Sequence, residues 1–427
     1  MAEEVWMLQT KKADFKQIGA RFRIDPVTAR IIRNRGIEGE AAIDRYLNGT
    51  LDDLYDPMLL KDMERAVSIL CEAVDTGKKI RIVGDYDIDG VCSTYILLQA
   101  FERLGSDVDF EIPDRIKDGY GINESIIEQA HADGVEVILT CDNGISAFHQ
   151  VELAKKYGMT VVITDHHEVP LDGEKEKIPP ADAVIDPKQA DCPYPFPEIC
   201  GAVVAYKLVQ VLYARRGVPQ MEWLDLLEFA AIATVGDVMK LQDENRILVK
   251  YGLKKMAQTK NLGLRRLAEK NNLDLGAITA YHIGFVIGPC LNAGGRLKTA
   301  KEALALLRAQ SEEEAERLAE ELKELNDTRK DMTEQGTEAA KLQVESWYQK
   351  DKVLVVFLPE CHESLAGIIA GRLREYCQKP AIVLTRSEEA VKGSGRSIES
   401  YHMFQKLSEV KDLMLKFGGH PMAAGLS

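Results

Sequence analysis

Three aspartates in five residues, Asp85, Asp87 and Asp89, stand in the run Val83-Gly84-Asp85-Tyr86-Asp87-Ile88-Asp89-Gly90. Carboxylates this close repel one another and raise each other's pKa unless a cation intervenes. With glycine on both sides the run makes a poor helix cap and a poor strand, while the glycines let the backbone bend towards an ion. A second cluster, Thr164-Asp165-His166-His167, places two adjacent histidines after an aspartate. Neighbours on an extended chain point opposite ways, so one histidine can ligate a metal while the other faces a substrate. Asp142, in Thr140-Cys141-Asp142-Asn143-Gly144, and Asp237, in Thr234-Val235-Gly236-Asp237-Val238, add further carboxylates. Oxygen donors with one or two histidines suit Mn2+ or Mg2+ better than a thiolate zinc site. A lone aspartate at a strand end is ordinarily an N-cap, and Asp186 before Pro187 is read that way.

The elements that must position these groups form an α/β pattern. Short apolar, β-rich runs at 80–83, 108–112, 135–140, 160–164 and 183–185 alternate with helical patterns at 91–104 and 123–132. Such alternation predicts a doubly wound, mainly parallel sheet. Its ligand crevice lies beyond the carboxyl ends of the strands, where the aspartates would converge. Residues 1–75 read as helical, with one loop around Asn34-Arg35-Gly36 and no catalytic cluster. The catalytic α/β domain takes 76–255, and a helical region takes 256–350. Within that region a charge-rich stretch from Glu312 to Val344, with pairs such as Glu313–Arg317 at i,i+4, reads as an exposed connecting helix. A smaller α/β unit fills 351–427: strand 353–358, helix 364–377, strand 381–385 and a glycine-rich end.

Composition narrows the class. No apolar run among the 427 residues reaches the roughly 18 needed to span a membrane. The acidic start, Met1-Ala2-Glu3-Glu4, is unlike a secretory signal. The eight scattered cysteines, none in a C-x-x-C pair, read as reduced, mostly buried thiols. A cytoplasmic protein is expected. The net charge of −14 argues against holding nucleic acid by overall charge, but leaves room for a local basic surface.

The run Asp85-Tyr86-Asp87-Ile88-Asp89-Gly90 together with Asp165-His166-His167 resembles the DHH phosphoesterase superfamily. The finer details resemble its RecJ branch: Asn34-Arg35-Gly36-Ile37, Leu60-Lys61-Asp62-Met63, Gly119-Tyr120-Gly121, Cys141-Asp142-Asn143-Gly144-Ile145, Cys192-Pro193-Tyr194-Pro195, Asp243-Glu244-Asn245-Arg246 and Asn292-Ala293-Gly294-Gly295-Arg296. The likeness runs from about residue 30 to the end. It implies a DHH domain joined by a long helix to a DHH-associated substrate-binding domain, with two metal ions at the strand ends. Asp85, Asp87 and Asp142 would hold one ion; Asp89, Asp142, His166 and Asp237 would hold the other. His167 would contact the scissile phosphate or assist proton transfer, so His167, Asp142 and His166 are the catalytic candidates. Asp165 would orient the loop or a histidine.

In the last unit the likeness rests on Cys361-His362-Glu363-Ser364, Gly393-Ser394-Gly395-Arg396-Ser397 and Gly418-Gly419-His420. Glycine-rich turns expose N–H groups that cradle phosphate, and arginine adds bidentate contacts. Arg296 and His420 are implied near the metal-bound phosphate; Ser394, Arg396 and Arg115 are implied at a 5′-phosphate. The implied activity is 5′→3′ hydrolysis of single-stranded DNA to 5′-mononucleotides, in DNA repair and recombination. Single-strand-binding protein and a helicase would be its partners. Two departures stand out. Pro289-Cys290 replaces the Pro-Arg of many relatives. The chain also stops at Leu426-Ser427, where relatives continue into an OB-fold, so a truncated chain is expected. Competing readings are a phosphodiesterase for short oligonucleotides or cyclic dinucleotides, and a non-catalytic replication scaffold; the latter would be expected to have lost ligands.

Overall fold

Ile80–Val83 and Val137–Cys141 are buried at every position, which in a sheet means that both faces are covered. The computed structural model describes residues 6–387 and 390–427. Residues 7–323 and 324–427 form two compact units.

The first unit begins with α1 (Phe15–Phe22), α2 (Pro26–Asn34), α3 (Glu40–Asn48) and α4 (Met63–Thr76). The single expected loop becomes three breaks, at 23–25, 35–39 and 49–62, the last holding only two short turns; residues 6–14 ahead of the Asp14 cap are not helical, and residues 1–5 lie outside the described residues. Then come β1 (Ile80–Val83), α5 (Ile88–Arg103), β2 (Val108–Glu111), α6 (Glu124–Ala132), β3 (Val137–Cys141), α7 (Phe148–Lys156) and β4 (Thr160–Thr164). A small hairpin of β5 (Leu171–Asp172) and β6 (Lys175–Glu176) precedes β7 (Ala183–Ile185).

The sheet order is β2-β1-β3-β4-β7, parallel throughout. The chain leaves β1 for β2 on one side and returns to β3 on the other. The topological switch point, where α/β sheets bind ligands, therefore lies between the ends of β1 and β3. Arg81, buried within β1, is neutralised by Asp109 at 2.7 Å and Asp133 at 2.8 Å. The remaining helices are α8 (Gly201–Arg215), α9 (Gln220–Leu224), α10 (Leu227–Gly236), α11 (Asp243–Met256), α12 (Leu262–Lys270), α13 (Ala280–His282), α14 (Gly288–Leu297) and α15 (Lys301–Arg308). A π-helical turn at Ile283–Ile287 joins α13 to α14. Helices α5, α8 and α10 are buried on nearly every side. Each large apolar side chain so buried contributes about 1.5–3 kcal/mol.

The division between units falls within α16 (Glu312–Gln343). This helix is not simply exposed, since Ala315, Ala319, Leu322 and Ala340 are fully buried. The second unit adds β8 (Leu354–Phe357), α17 (Ala366–Cys377), β9 (Ala381–Arg386), β10 (Val391–Arg396), α18 (Met403–Ser408), β11 (Phe417–His420) and β12 (Ala423–Leu426). Its order is β11-β12-β10-β9-β8, with only β8 and β9 parallel. The glycine-rich end is thus a pair of antiparallel strands.

Candidate active site at the strand ends

The turn after β1 carries Asp85, Asp87 and Asp89. Contrary to the expectation of a poor cap, Asp87 is the N-cap of α5: its Oδ1 accepts from the backbone N–H groups of Asp89 at 2.9 Å and Gly90 at 3.1 Å. The turn is held from outside by Asn292, whose Oδ1 accepts the Ile88 N–H at 2.9 Å. Gly90 is required, because a Cβ there would lie 2.4 Å from the Asp85 carbonyl oxygen. Asp89 becomes fully buried at the first turn of α5, and the start of α8 receives its carboxylate. The N–H groups of Gly201 and Ala202 each donate to it at 2.7 Å.

Asp142 follows β3 with φ of 62°, the left-handed conformation that aspartate tolerates better than most residues. His166 Nε2 lies 3.1 Å from Asp142, 3.4 Å from Asp89 and 3.9 Å from Asp237, the last just beyond α10. Potential donor atoms fall into three groups, each within 4.8 Å: Asp85, Asp87 and Asp142; Asp89, His166 and Asp237; Asp142, His166 and His167. Asp142 thus belongs both to the group on the β1 side and to one on the β4 side.

The electrostatics of this cluster call for a cation. Burial, then the charge of Asp87, raises Asp85 to about 7. Burial chiefly raises Asp89 to about 6, with Asp237 adding to it and His166 opposing. Burial and Asp87 bring Asp237 to about 6. Asp142 is pushed well above the usual carboxylate range by burial and by Asp89, Asp87 and Asp85. Burial also lowers His166, favouring the neutral imidazole that ligates metals. Divalent cations would offset both the desolvation and the mutual repulsion, so the residues present fit an oxygen-rich metal site.

Asp165 acts through hydrogen bonds. Its Oδ1 accepts from the N–H groups of His166 and His167 and lies 2.7 Å from His167 Nδ1; its Oδ2 accepts the Ile145 N–H. Burial alone would lower His167, but Asp165 outweighs it and holds the imidazole at about 9. The Tyr120 hydroxyl donates to the Asp142 carbonyl at 2.9 Å and stands 3.1 Å from His167 Nδ1. Sequence reasoning had Tyr120 only as part of a supporting motif. Asn143 was likewise missed: it donates to Val83 and Cys141 and accepts from Ile122. Its place beside Asp142 was the available signal.

The Arg115 guanidinium lies 4.0 Å above the Tyr86 ring. Arg296 is on α14, where Gly295 packs on the Tyr86 carbonyl so tightly that a Cβ would come within 2.2 Å. In the second unit Arg396 pairs with Ala423, and Ala423 with His420, across adjacent strands. Directly opposed residues share a face, so Arg396 and His420 are on one side of that sheet, with Ser394 two residues away on the same side. Arg396 Nη1 donates to Ser394 Oγ at 3.1 Å and to the Gly395 carbonyl at 2.8 Å. Burial, then Arg374, depresses the Arg396 pKa, and these neutral acceptors leave the guanidinium suited to an anion. Gly367 leaves room there, since its Cβ would meet Arg396 at 2.8 Å.

Residues 79–234 match the DHH family, N-terminal domain, and residues 350–427 match the DHHA1 domain. The single-stranded-DNA-specific exonuclease RecJ of Bacillus subtilis is 38% identical over 425 residues, covering 99% of this chain and 53% of its own. RecJ of Haemophilus influenzae is 36% identical over 429 residues, covering 96% of this chain and 73% of its own. The crystal structure of Thermus thermophilus RecJ in complex with Mn2+ superposes with a TM-score of 0.82 at 30% identity, covering 97% of this chain and 58% of that one. The chain therefore spans about half the length of the Bacillus relative.

Proposed function

The chain belongs to the RecJ family of single-stranded-DNA-specific exonucleases, and on that premise we propose that it hydrolyses single-stranded DNA from the 5′ end, releasing 5′-mononucleotides. The observation that carries this reading is the pair of donor groups at the switch point, Asp85–Asp87–Asp142 and Asp89–His166–Asp237, each within 4.8 Å. Asp85, Asp87 and Asp142 would hold one cation; Asp89, Asp142, His166 and Asp237 would hold the other. Mn2+ or Mg2+ suits these donors. When bound, such a pair neutralises the phosphodiester and activates water for in-line attack.

The protein's own groups do the rest. The amides of Gly201 and Ala202 fix the orientation of Asp89. His167, kept protonated by Asp165, offers Nε2 as a charged donor to the scissile phosphate and a proton to the leaving 3′-oxygen. Arg115 and Arg296 bind phosphate beside Tyr86. Ser394, Arg396 and His420 bind phosphate in the second unit, Ser394 and Arg396 as readers of a 5′-phosphate. The reading carries a role in DNA repair and recombination and a cytoplasmic location. A helicase to open duplex and single-strand-binding protein to keep it open are the partners such a reaction needs. Among the described residues no helix is long and apolar enough to cross a membrane.

The test is digestion of 5′-labelled and 3′-labelled single strands with Mn2+, Mg2+ or chelator, with Asp142→Ala as control. Mononucleotides released from the 5′ end only with metal, and only by the unmodified chain, support the reading. Release from the 3′ end, or turnover in chelator, overturns it.

A further inference from the structure

The N-terminal helices hold a concentration of positive charge that the catalytic site does not use. Between residues 11 and 35 stand Lys11, Lys12, Lys16, Arg21, Arg23, Arg30, Arg33 and Arg35 against Asp14 and Asp25, a net of +6 in a chain of net −14. Both acids are engaged as helix caps, Asp14 by Gln17 and Asp25 by Val27 and Thr28. Lys11 Nζ donates to the Asn34 carbonyl at 3.3 Å, and Arg33 Nε to the Lys12 carbonyl at 3.4 Å. These bonds lay the segment before α1 along the end of α2 and gather Lys11, Lys12, Arg33 and Arg35. One turn back, Arg30 stacks over Phe15 at 4.4 Å, beside Lys16 in sequence. Among the described residues of this segment, only Arg33 (Glu38, 2.8 Å) and Arg21 (Glu40, 3.7 Å) meet a carboxylate partner. Lys12, Lys16, Arg23 and Arg35 are exposed.

Cations near the end of a helix gain from its dipole, which accounts for Arg33 but not for a surface spread over two helices. A spaced array of like charges fits a polymer bearing regular negative charge better than one small anion, which a single concave cluster would hold. The array is also tied to the catalytic centre. Gln242 Nε2 donates to the Arg35 carbonyl at 2.6 Å. Gln242 follows Asp237 by five residues, a reach of at most about 18 Å.

We propose that the α1–α2 surface is an accessory site for the phosphodiester backbone of single-stranded DNA, outside the metal centre. The inference rests on the functional reading above and adds where the rest of the strand is held. Contacts of this kind concentrate substrate and show as salt-dependent affinity without altering chemistry.

The experiment compares the unmodified chain with a triple variant, Lys12→Gln, Lys16→Gln and Arg35→Gln. A control removes equal charge elsewhere through Lys156→Gln, Lys175→Gln and Lys350→Gln. Melting temperatures check folding. KM and kcat are read on oligothymidylate with Mn2+ across a salt series, and binding of labelled oligothymidylate in chelator is read by anisotropy. For the first variant KM rises roughly tenfold at low salt, the salt slope of affinity shrinks by about 2, and kcat at saturation holds; the control stays within twofold of the unmodified chain. Equal KM and slope in the unmodified chain and the first variant overturn the proposal, as does an equal loss in the control. Loss of polyglutamate binding with strand KM unchanged assigns the surface to an acidic peptide and overturns it too. If the unmodified chain binds the strand through these residues but does not cut it, the nuclease reading fails while this surface stands.

Discussion

Gly201 lies directly against Asp142: a Cβ at position 201 would fall 2.7 Å from the Asp142 Cβ and 2.9 Å from its Cα. The neighbour is backbone in a left-handed turn, not a flexible tip, so it cannot yield without moving the carboxylate. The same residue's N–H holds Asp89 at 2.7 Å. Gly201→Ala should therefore displace both carboxylates. A 1 Å misplacement costs on the order of 100-fold in rate, and overpacking costs about 1–3 kcal/mol of stability. Manganese-dependent turnover should fall by at least that factor while a folded protein remains by circular dichroism. Near-normal turnover would show that the approach carries no positional demand.

Asp165 gathers the triplet through four hydrogen bonds and keeps His167 charged. Asp165→Asn retains the size but loses the charge, and one amide nitrogen must face the N–H groups of His166, His167 or Ile145. Groups that orient a ligand typically account for 10–100-fold in affinity or activity. The loss should appear chiefly in kcat, since Asp165 itself is buried away from substrate. A change confined to KM would mean that the triplet's geometry survives without it.

The acidic cluster should make the metal-free chain lose stability as pH rises. Asp85 is raised to about 7, and Asp89 and Asp237 to about 6. An acid with a raised folded pKa contributes stability that is complete below its unfolded value and is lost as pH climbs through the folded value. The window is therefore about pH 4–7. Cations that bind the ionised cluster reverse the loss, so the rise in melting temperature on adding Mn2+ should grow from pH 5.5 to pH 8. Asp142→Asn should melt higher than the unmodified chain in chelator at pH 8, and it should lose most of the Mn2+ increment. A metal increment that is flat with pH would contradict the assignment of these carboxylates as donors.

The run 85–89 and the triplet 165–167 are legible in the sequence because each is contiguous and its residue types are costly to bring together without a purpose. The parallel sheet was legible for a related reason, since strands buried on both faces are mostly apolar, with Arg81 in β1 admitted only because Asp109 and Asp133 neutralise it. What was not legible depends on contacts between distant positions. Asn292 holds the Ile88 amide across 204 residues, and Gly201 meets Asp142 only once α8 has packed. Asp87 can cap α5 despite its crowded charge because one oxygen accepts the capping N–H groups and the other stays available. Strands β11 and β12 are not legible in the sequence because Gly418, Gly419 and Gly425 carry no β preference, and neighbouring strands impose the pairing.

Arg396 offers the sharpest test of substrate end recognition. Its guanidinium is half-buried, donates to Ser394 Oγ and the Gly395 carbonyl, and has a pKa lowered by burial and by Arg374. A half-buried cation whose acceptors among the described residues are neutral is unfavourable until an anion arrives, and charge-assisted bonds to phosphate are about twice as strong as neutral ones. Arg396→Ala should raise KM for strands ending in a 5′-phosphate by roughly 10–100-fold, the range of about 1.5–3 kcal/mol for such bonds. Strands ending in a 5′-hydroxyl should be affected much less, so the preference between the two ends narrows. Lysine at the same position should recover only part of the loss, because an ammonium supplies charge without the planar fork. Equal losses on both kinds of end would place Arg396 in the stability of its sheet and remove it from recognition of the terminus.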